Sequence, residues 1–458
     1  MVNVLASLVN IRRYRWSELL LLLLPSIFIV LGMLQLTLIA QNNANTSTAI
    51  TTITPKNLPA LDALGPNLLL IVGLLAAHIL LSWLIPDADQ TILPVVSMLS
   101  AMGVLMATRL GPDLPNPSPS LGYHQLLWVL LGLGFMLATV WVTRDLRWLR
   151  LYKYTWAIAG MGLVALTLAH ALSIHDFNSP THDQLNIGPS GFAFQPSELL
   201  KICLVIFYAG YLSENREMLA QAGTKFGPFY FPPLKQMAPL IIILLVSLLM
   251  FVVLRELGLA LLIFGIFVAM IYLASGRLVY VGYSLGSFAV GAFIAYKLFP
   301  YVQDRVAVVA NAFSPAYAND KGFQVVQGLI ALGSGGIIGQ GFGLGHPTFV
   351  PAVDTDFVAA AVGEEFGMAG LFAILAVFML LIYRAFHIAI RGRDTFEQLL
   401  AGGIGSIFAI QTLVILAGNL KIFPLTGIPL PFITYGGSSV IANFIMIGLL
   451  LRLSAPES

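Results

Sequence analysis

The sequence has 458 residues, of which 58% are hydrophobic and only 10% are charged, and its mean hydropathy is +0.89. A soluble domain carries roughly 25% charged residues, so this chain lacks the polar surface that solubility in water requires. The net charge of +2 and the lack of a basic cluster argue against nucleic-acid binding. The single cysteine, Cys203, excludes an internal disulfide. The composition therefore predicts an all-α polytopic integral membrane protein.

Apolar segments long enough to cross a bilayer recur along the chain. A transmembrane helix needs about 20 largely apolar residues. Twelve segments fit this length approximately: 18–40, 66–86, 91–108, 125–143, 154–172, 196–213, 237–254, 258–275, 279–298, 361–383, 400–418 and 438–453. The first is long for a signal-peptide core and lacks a clear small-residue cleavage site, so we expect it to be a retained span. We therefore expect about twelve transmembrane helices in a single membrane domain, 1–458.

Lysine and arginine concentrate in alternate loops, which predicts the orientation of the chain. With the N-terminus inside, the cytoplasmic side holds most of the 23 basic residues: Arg12, Arg13, Arg15, Arg144, Arg147, Arg150, Lys153, Arg216, Lys225, Lys235, Arg277, Arg384, Arg391, Arg393 and Arg452. Both termini are then cytoplasmic, and the longest connection, about 299–360, lies outside. A loop of that length is usually functional or disordered, and its apolar, glycine-rich composition argues against disorder. We expect it to form short or re-entrant helices.

Charged residues beside the spans gather at the predicted outer ends. Such charges are costly near a bilayer and indicate function. Glu198 and Lys201 lie three residues apart and share one helical face. Glu256 lies in a short outer turn, and Asp356 and Glu364 lead into the tenth span. Each also has a purely structural explanation, as an ion pair, a turn residue or an interfacial carboxylate.

Two glycine-containing stretches are candidates for ligand binding, and they differ in what their residues predict. "GSGGIIGQGFGLG" lacks the Gly-Lys-Ser/Thr of a phosphate-binding loop and the spacing of a dinucleotide site. "GGSS" at 436–439 precedes an apolar span and predicts a helix N-terminus at Ser438 or Ser439, which offers N–H groups to an anion. No histidines or cysteines lie at the spacing of a zinc site.

Four segments resemble the signature motifs of the SEDS family, the shape, elongation, division and sporulation proteins. They are "FQPSELLK" at 194–201, "GFQVVQGLIALGSGGIIGQGFGLG" at 322–345, "VDTDFVAAAVGEEFGMAG" at 353–370 and "FPLTGIPLPFITYGGSSVIANF" at 423–444. They occur in family order within 190–455, the predicted core, whereas the N-terminal spans in 1–153 carry less signal. Family members typically have ten spans, so the resemblance implies a longer, twelve-span variant.

The resemblance implies a peptidoglycan glycosyltransferase of the bacterial cytoplasmic membrane, serving elongation or division. Such an enzyme polymerises lipid II into β-1,4-linked glycan at the outer face. Lipid II carries a disaccharide-peptide on a polyprenyl diphosphate, so the diphosphate leaves and a sugar hydroxyl attacks. The implied partners are lipid II, membrane lipids and a class B penicillin-binding protein that crosslinks the product. A lipid II flippase and a non-catalytic scaffold for a penicillin-binding protein are the alternatives.

The resemblance also implies roles for single residues. Asp320 best matches the essential aspartate of the family and is the predicted general base of an inverting transfer. Because "NDKGFQ" is shorter than the family pattern, Asp304 is the alternative base. The residues predicted to bind substrate are Glu198, Lys201, Glu256, Gln324, Gln327, Asp356, Glu364, Ser438 and Ser439. A divalent cation, Mg²⁺ or Mn²⁺, that bridges the diphosphate to a carboxylate is compatible with this chemistry, but the sequence indicates no ligands for it.

Overall fold

The computed structural model describes residues 14–44, 61–174, 185–187, 192–221, 224–226, 229–231 and 234–456. Its secondary structure is almost entirely helical, as expected for a chain whose backbone must satisfy its own hydrogen bonds in lipid. The α-helices of the described residues are α1 (Trp16–Ala44), α2 (Leu61–Leu84), α3 (Ile92–Leu110), α4 (Leu121–Val142), α5 (Arg147–Leu151), α6 (Lys153–Ile174), α7 (Pro196–Gln221), α8 (Leu234–Val253), α9 (Leu257–Ser275), α10 (Leu278–Leu298), α11 (Pro300–Asn311), α12 (Phe323–Gly335), α13 (Val358–Arg391), α14 (Thr395–Asn419) and α15 (Gly437–Ser454).

Two short antiparallel hairpins are the exceptions to the helical fold. Strands β1 (Leu185–Ile187) and β2 (Phe192–Phe194) form the first hairpin, and β3 (Thr224–Phe226) and β4 (Phe229–Phe231) form the second. Each strand has only three residues, so the hairpins are small additions to an all-α protein and do not form a core sheet.

All twelve apolar segments of the sequence form helices. Within the described residues, nine helical stretches are long and apolar enough to cross a membrane: Trp16–Ala40, Ile92–Asp113, Leu121–Val142, Pro196–Glu217, Leu257–Ser275, Leu278–Leu298, Val358–Arg391, Thr395–Asn419 and Gly437–Ser454. The other three predicted segments coincide with α2, α6 and α8, and the apolar parts described in α2 and α8 are shorter. The chain is therefore a multi-pass membrane protein, as predicted.

The long connection between α10 and α13 is ordered into short helices. It contains α11, α12 and a 3₁₀ turn at Pro347–Phe349. The prediction of short helices in this connection is confirmed. Gly367, with φ 69° and ψ −172°, interrupts α13 near its start and separates a first segment, beginning at Val358, from the long helical part.

The chain divides into two compact units. The first unit comprises Met1–Arg144, Val326–Arg384 and Pro429–Ser458, and the second comprises Asp145–Val325 and Ala385–Ile428. The expectation that 1–458 forms one membrane domain stays a prediction.

Each unit has a tightly packed helical core. In the first, α15 lies along α4 so closely that a Cβ at Gly132 would lie 2.3 Å from the Phe444 ring. In the second, α7 is almost wholly buried between neighbours, and a Cβ at Gly403 of α14 would lie 2.7 Å from Val205. Small residues allow helices to approach in this way, as in other membrane bundles.

Candidate active site

The glycine-rich loop of the first unit lies directly on the start of α13. Backbone N–H groups of Gln340 and Gly341 donate to the carbonyl oxygens of Glu364 and Glu365, at 2.9 and 3.0 Å. A Cβ at Gly339, where φ is +93°, would lie 2.2 Å from the Glu365 carbonyl oxygen. The glycines are therefore required because one backbone packs against another without room for side chains.

An arginine and two glutamates hold this loop from the other side. Arg109, in the last turn of α3, pairs through Nε with Glu365 Oε1 at 2.9 Å and donates through its Nη2 to the Gly345 carbonyl oxygen at 2.8 Å. Glu364 Oε1 accepts from the His346 backbone N–H at 2.8 Å. The Glu365 side chain is fully buried and that of Arg109 is 10% exposed. Charge-assisted hydrogen bonds of this kind are stronger than neutral ones.

Arg109 was not among the residues predicted from the sequence. Its signal was present, since a basic residue at the predicted outer end of a span is an exception to the positive-inside rule. Glu364 was predicted to bind substrate, and its observed contact is with the loop backbone. A role in binding substrate stays a prediction.

Two further loops of the first unit, the one before α13 and the one before α15, are joined by hydrogen bonds. The Tyr435 backbone N–H donates to the Asp354 carbonyl oxygen at 3.1 Å, and the Thr434 hydroxyl donates to Thr355 at 3.3 Å. Ala352 and Phe432 have positive φ angles of 53° and 65°. Such strain in residues other than glycine is concentrated at functional sites.

Burial changes the pKa values of two side chains in these loops, Asp354 and Tyr435. Burial raises the pKa of the Asp354 carboxyl above its ordinary value of 3.8, an effect that its own backbone N–H opposes. Burial also raises the pKa of Tyr435, and the Asp354 charge adds to that rise, whereas a hydrogen bond with Trp128 opposes it.

The remaining predicted residues of the first unit lie on different elements. Gln327 is half-buried on α12, and Asp356 is half-buried just before α13. Ser438 and Ser439 are buried in the first turn of α15, as the predicted helix N-terminus requires, and Asn443 Nδ2 donates to the Ser439 hydroxyl at 3.3 Å. The Trp128 ring packs against the start of this turn, where a Cβ at Gly437 would lie 2.7 Å from it.

In the second unit, Glu198 and Lys201 form the predicted pair. Lys201 Nζ lies 2.9 Å from Glu198 Oε2 and 2.9 Å from Gln411 Oε1, which α14 provides. Both charged side chains are fully buried. Within the part of the chain that the structure describes, Glu198 Oε1 accepts no hydrogen bond. The pair therefore joins α7 to α14, and a contact with the diphosphate stays a prediction.

The predicted base lies at the end of the turn that precedes α12. Asp320 is exposed, and its backbone N–H donates to the Tyr317 carbonyl oxygen at 3.1 Å. Its carboxylate forms no hydrogen bond or ion pair with any residue in the described ranges. Gln324 follows one turn later on α12 and is half-buried.

The alternative base, Asp304, is already paired. Its Oδ2 lies 2.8 Å from Lys321 Nζ, and this hydrogen bond raises the pKa of Lys321. Asp304 does not pair with the adjacent Arg305, whose guanidinium instead donates to the Leu425 carbonyl oxygen.

Glu256 lies in a strained turn between α8 and α9. It immediately precedes α9, and its neighbour Arg255 has a positive φ of 62° and lies over the Tyr301 ring. A Cβ at Gly258 would lie 2.2 Å from the Thr426 carbonyl oxygen, so the first turn of α9 is pressed against the loop after α14. The structure thus makes this turn a rigid feature of the second unit.

The described residues contain no cluster that could hold a metal ion, since no three of their histidine, cysteine, aspartate or glutamate side chains lie close enough together. The described residues therefore assign no ligands to the divalent cation that the chemistry would accept.

This all-α, multi-pass architecture, with a glycine-rich loop fixed by an arginine–glutamate cluster, defines the class as a polytopic membrane protein. The family model for FtsW, RodA and SpoVE, described as "Cell cycle protein", matches residues 89–458. The chain belongs to this family, which confirms the resemblance of its motifs.

Individual relatives match most of the chain. The peptidoglycan glycosyltransferase RodA of Mycobacterium tuberculosis is 36% identical over 386 residues, which cover 83% of this chain and 80% of that protein. The probable peptidoglycan glycosyltransferase FtsW of Geobacter sulfurreducens is 30% identical over 375 residues, or 80% of this chain and 95% of that protein.

Solved structures share the fold. A chain from work on the coordination of polymerization and crosslinking by a peptidoglycan synthase complex has a TM-score of 0.61 and 23% identity, covering 80% of this chain and 97% of that chain. The rod shape determining protein RodA of Thermus thermophilus has a TM-score of 0.53 and 22% identity, covering 80% and 96%.

Proposed function

We propose that this chain is a peptidoglycan glycosyltransferase that polymerises lipid II into β-1,4-linked glycan strands at the outer face of the bacterial cytoplasmic membrane. The observation that carries this proposal is the 36% identity over 386 residues to a relative named for peptidoglycan glycosyltransfer. Membership of the family over residues 89–458 supports the same activity.

In the proposed reaction, Asp320 is the general base. An exposed and unpaired carboxylate can reach a sugar hydroxyl of one lipid II molecule and accept its proton as the oxygen attacks the anomeric carbon of another. The new C–O bond forms as the bond from the anomeric carbon to the phosphate oxygen breaks, and the diphosphate leaves with the electron pair. Attack from the opposite face converts an α-linked donor into a β-linked product.

The departing diphosphate requires stabilisation by positive charge. Lys201 is the proposed cation, and the proposal requires the headgroup to come within reach of the buried Glu198–Lys201–Gln411 cluster in the second unit. Gln324, Gln327, Glu256, Asp356, Glu364, Ser438 and Ser439 remain the proposed contacts for the rest of the substrate.

A protein partner belongs to the same proposal. The solved structure with a TM-score of 0.61 comes from a peptidoglycan synthase complex in which polymerization and crosslinking are coordinated. This likeness supports a class B penicillin-binding protein as the partner that crosslinks the product.

The experiment is polymerisation of purified lipid II by the purified full chain, with and without a class B penicillin-binding protein from the same cell. We expect glycan strands resolved by gel electrophoresis. Bound lipid II without polymer, even with the partner present, would overturn the proposal. Transfer of labelled headgroup across vesicles without polymer would favour the flippase.

A further inference from the structure

A cavity opens in the first unit where three helices end together. Its volume is about 220 Å³. The residues that line it come from the end of α2, the last turns of α4 and the last turn of α15: Trp83, Leu84, Ile85, Val140, Arg144 and Arg452. None of these lining residues belongs to the glycine-rich loop or is assigned to glycosyl transfer.

The cavity carries positive charge, and no carboxylate is among the described residues that line it. The Arg144 side chain is exposed, whereas Arg452 is only 7% exposed although it lines the opening. Arg452 Nη2 donates to the Arg144 carbonyl oxygen at 2.8 Å, which fixes one arginine relative to the backbone of the other. Arginine guanidinium groups suit phosphate oxygens because their planar N–H donors can form two parallel hydrogen bonds to one phosphate.

The apolar part of the cavity wall includes Trp83, and a second exposed tryptophan, Trp141, contacts the lining residue Arg144. Trp83 is 79% exposed, and Trp141, whose ring centroid lies 5.7 Å from the Arg144 guanidinium carbon, is 58% exposed. Tryptophans favour the headgroup level of a bilayer. The predicted topology puts Arg144 and Arg452 on the cytoplasmic side, so the cavity faces the inner leaflet.

The floor of the cavity is held in place by a buried polar network. Arg15 donates to the carbonyl oxygens of Ile85 and Ala88 at 2.9 and 3.2 Å and also pairs with Glu18. Glu18 in turn lies 2.7 Å from His78 Nδ1. Because these contacts fix the segment after α2, the cavity is formed before any ligand arrives.

Half of the lining comes from the end of α2 and the residue that follows it. Trp83, Leu84 and Ile85 precede residue 89, where the match to the family model begins. The N-terminal part of the chain therefore contributes half of this cavity.

We propose that the cavity binds the phosphate headgroup of an anionic phospholipid from the cytoplasmic leaflet. Arg144 and Arg452 bind the phosphate oxygens, and an acyl chain lies against Trp83 and Leu84. Basic pockets between transmembrane helices on the cytoplasmic side recognise anionic lipids in this way. The site is independent of the proposed glycosyltransferase activity.

The test is native mass spectrometry of the purified full chain mixed with equal amounts of phosphatidylglycerol and phosphatidylethanolamine. We expect phosphatidylglycerol to be retained preferentially. Arg144→Ala should weaken that retention about fivefold, the factor that corresponds to about 1 kcal/mol per basic residue near an anionic leaflet. This substitution keeps the backbone carbonyl oxygen of residue 144, so the hydrogen bond from Arg452 is retained.

Arg147→Ala is the matched control, because Arg147 is exposed on the same connection but does not line the cavity. It should bind as the wild type does. Brominated phosphatidylglycerol should also quench more tryptophan fluorescence in the wild type than in Trp83→Phe. Equal retention of the two lipids, equal loss in the two arginine variants, or displacement of the lipid by inorganic phosphate alone would overturn the proposal.

Discussion

Glu198 and Lys201 are charges kept inside an apolar helical core in the second unit. Removing two ions from water costs several kcal/mol, and the cost is offset only by close pairing and further hydrogen bonds. The 2.9 Å ion pair and the 2.9 Å contact with Gln411 supply these for Lys201, whereas Glu198 Oε1 accepts no hydrogen bond among the described residues. The pair has two possible roles: it stabilises the contact between α7 and α14, or it binds the diphosphate of the substrate.

A pair of substitutions separates these two roles. Lys201→Met alone should lower the melting temperature, because it leaves a buried carboxylate uncompensated at a cost of roughly 3–5 kcal/mol. Adding Glu198→Gln should restore the melting temperature. If Lys201 binds the diphosphate, lipid II polymerisation stays low in the restored double variant. Recovery of polymerisation together with stability would show that the pair is only structural.

Asp354 gives a prediction about pH. Burial raises its folded pKa above the ordinary value of 3.8, so the folded state holds this proton more tightly than the unfolded state. Stability from this group therefore falls as the pH rises from 3.8 through the folded pKa. Asp354→Asn should melt at the same or a higher temperature than wild type at pH 7, and the difference should vanish near pH 3.8. A clear loss of melting temperature at pH 7 would mean that the ionised carboxylate is stabilising.

The sequence identified charged residues that form contacts, but it predicted their partners only where both residues lie on one helix. Glu198 and Lys201 pair as predicted because a spacing of three residues on a helix is a local property. Arg109 and Glu365 are 256 residues apart, and Asp304 meets Lys321 rather than its neighbour. Such pairs depend on how the chain turns, which composition and spacing do not specify.

Among the elements, α1 holds the glycine-rich loop from a position outside the family match. Gln35 Nε2 donates to the Phe342 carbonyl oxygen at 2.7 Å, and a Cβ at Gly343 would lie 2.8 Å from Ile39. The apolar pattern predicted α1 as a helix, but no local feature of the sequence predicted what it touches.

Loss of the Gln35 donor should loosen this loop. Gln35→Glu keeps the shape of the side chain but replaces its N–H donor with an acceptor. The lost hydrogen bond contributes about 1 kcal/mol to the stability of the loop. Hydrogen–deuterium exchange in 336–346 should therefore be roughly fivefold faster. Thr37→Ala is the control, because the Thr37 hydroxyl bonds only to carbonyl oxygens of its own helix, and it should leave exchange unchanged. Identical exchange in the two variants would rule out this role for α1.

For the whole molecule, the positions of the twelve apolar helices followed from the sequence because each span depends only on local composition. Nine helical stretches of the described residues are long and apolar enough to cross a membrane. The orientation in the membrane rests on the distribution of basic residues and stays a prediction. In a Cys203→Ser background, Asn319→Cys should react with an impermeant thiol reagent added to intact cells, whereas Arg391→Cys should not. Both positions are exposed, so access to the reagent depends on the side of the membrane. If Arg391→Cys reacted and Asn319→Cys did not, the predicted topology would be wrong and the proposed site would lie on the cytoplasmic side.

The most direct test of the account compares two neighbouring aspartates in the lipid II polymerisation assay. Asp320 is exposed and unpaired among the described residues, whereas Asp304 is paired with Lys321 at 2.8 Å. General base catalysis contributes roughly 10²–10⁴-fold, so Asp320→Asn should lose at least about a hundredfold in rate while it still binds lipid II. Asp304→Asn should keep its rate within about twofold, a change in barrier of less than about 0.5 kcal/mol. Normal polymerisation by Asp320→Asn would contradict the assignment of the base, and its loss in Asp304→Asn instead would move the base to Asp304.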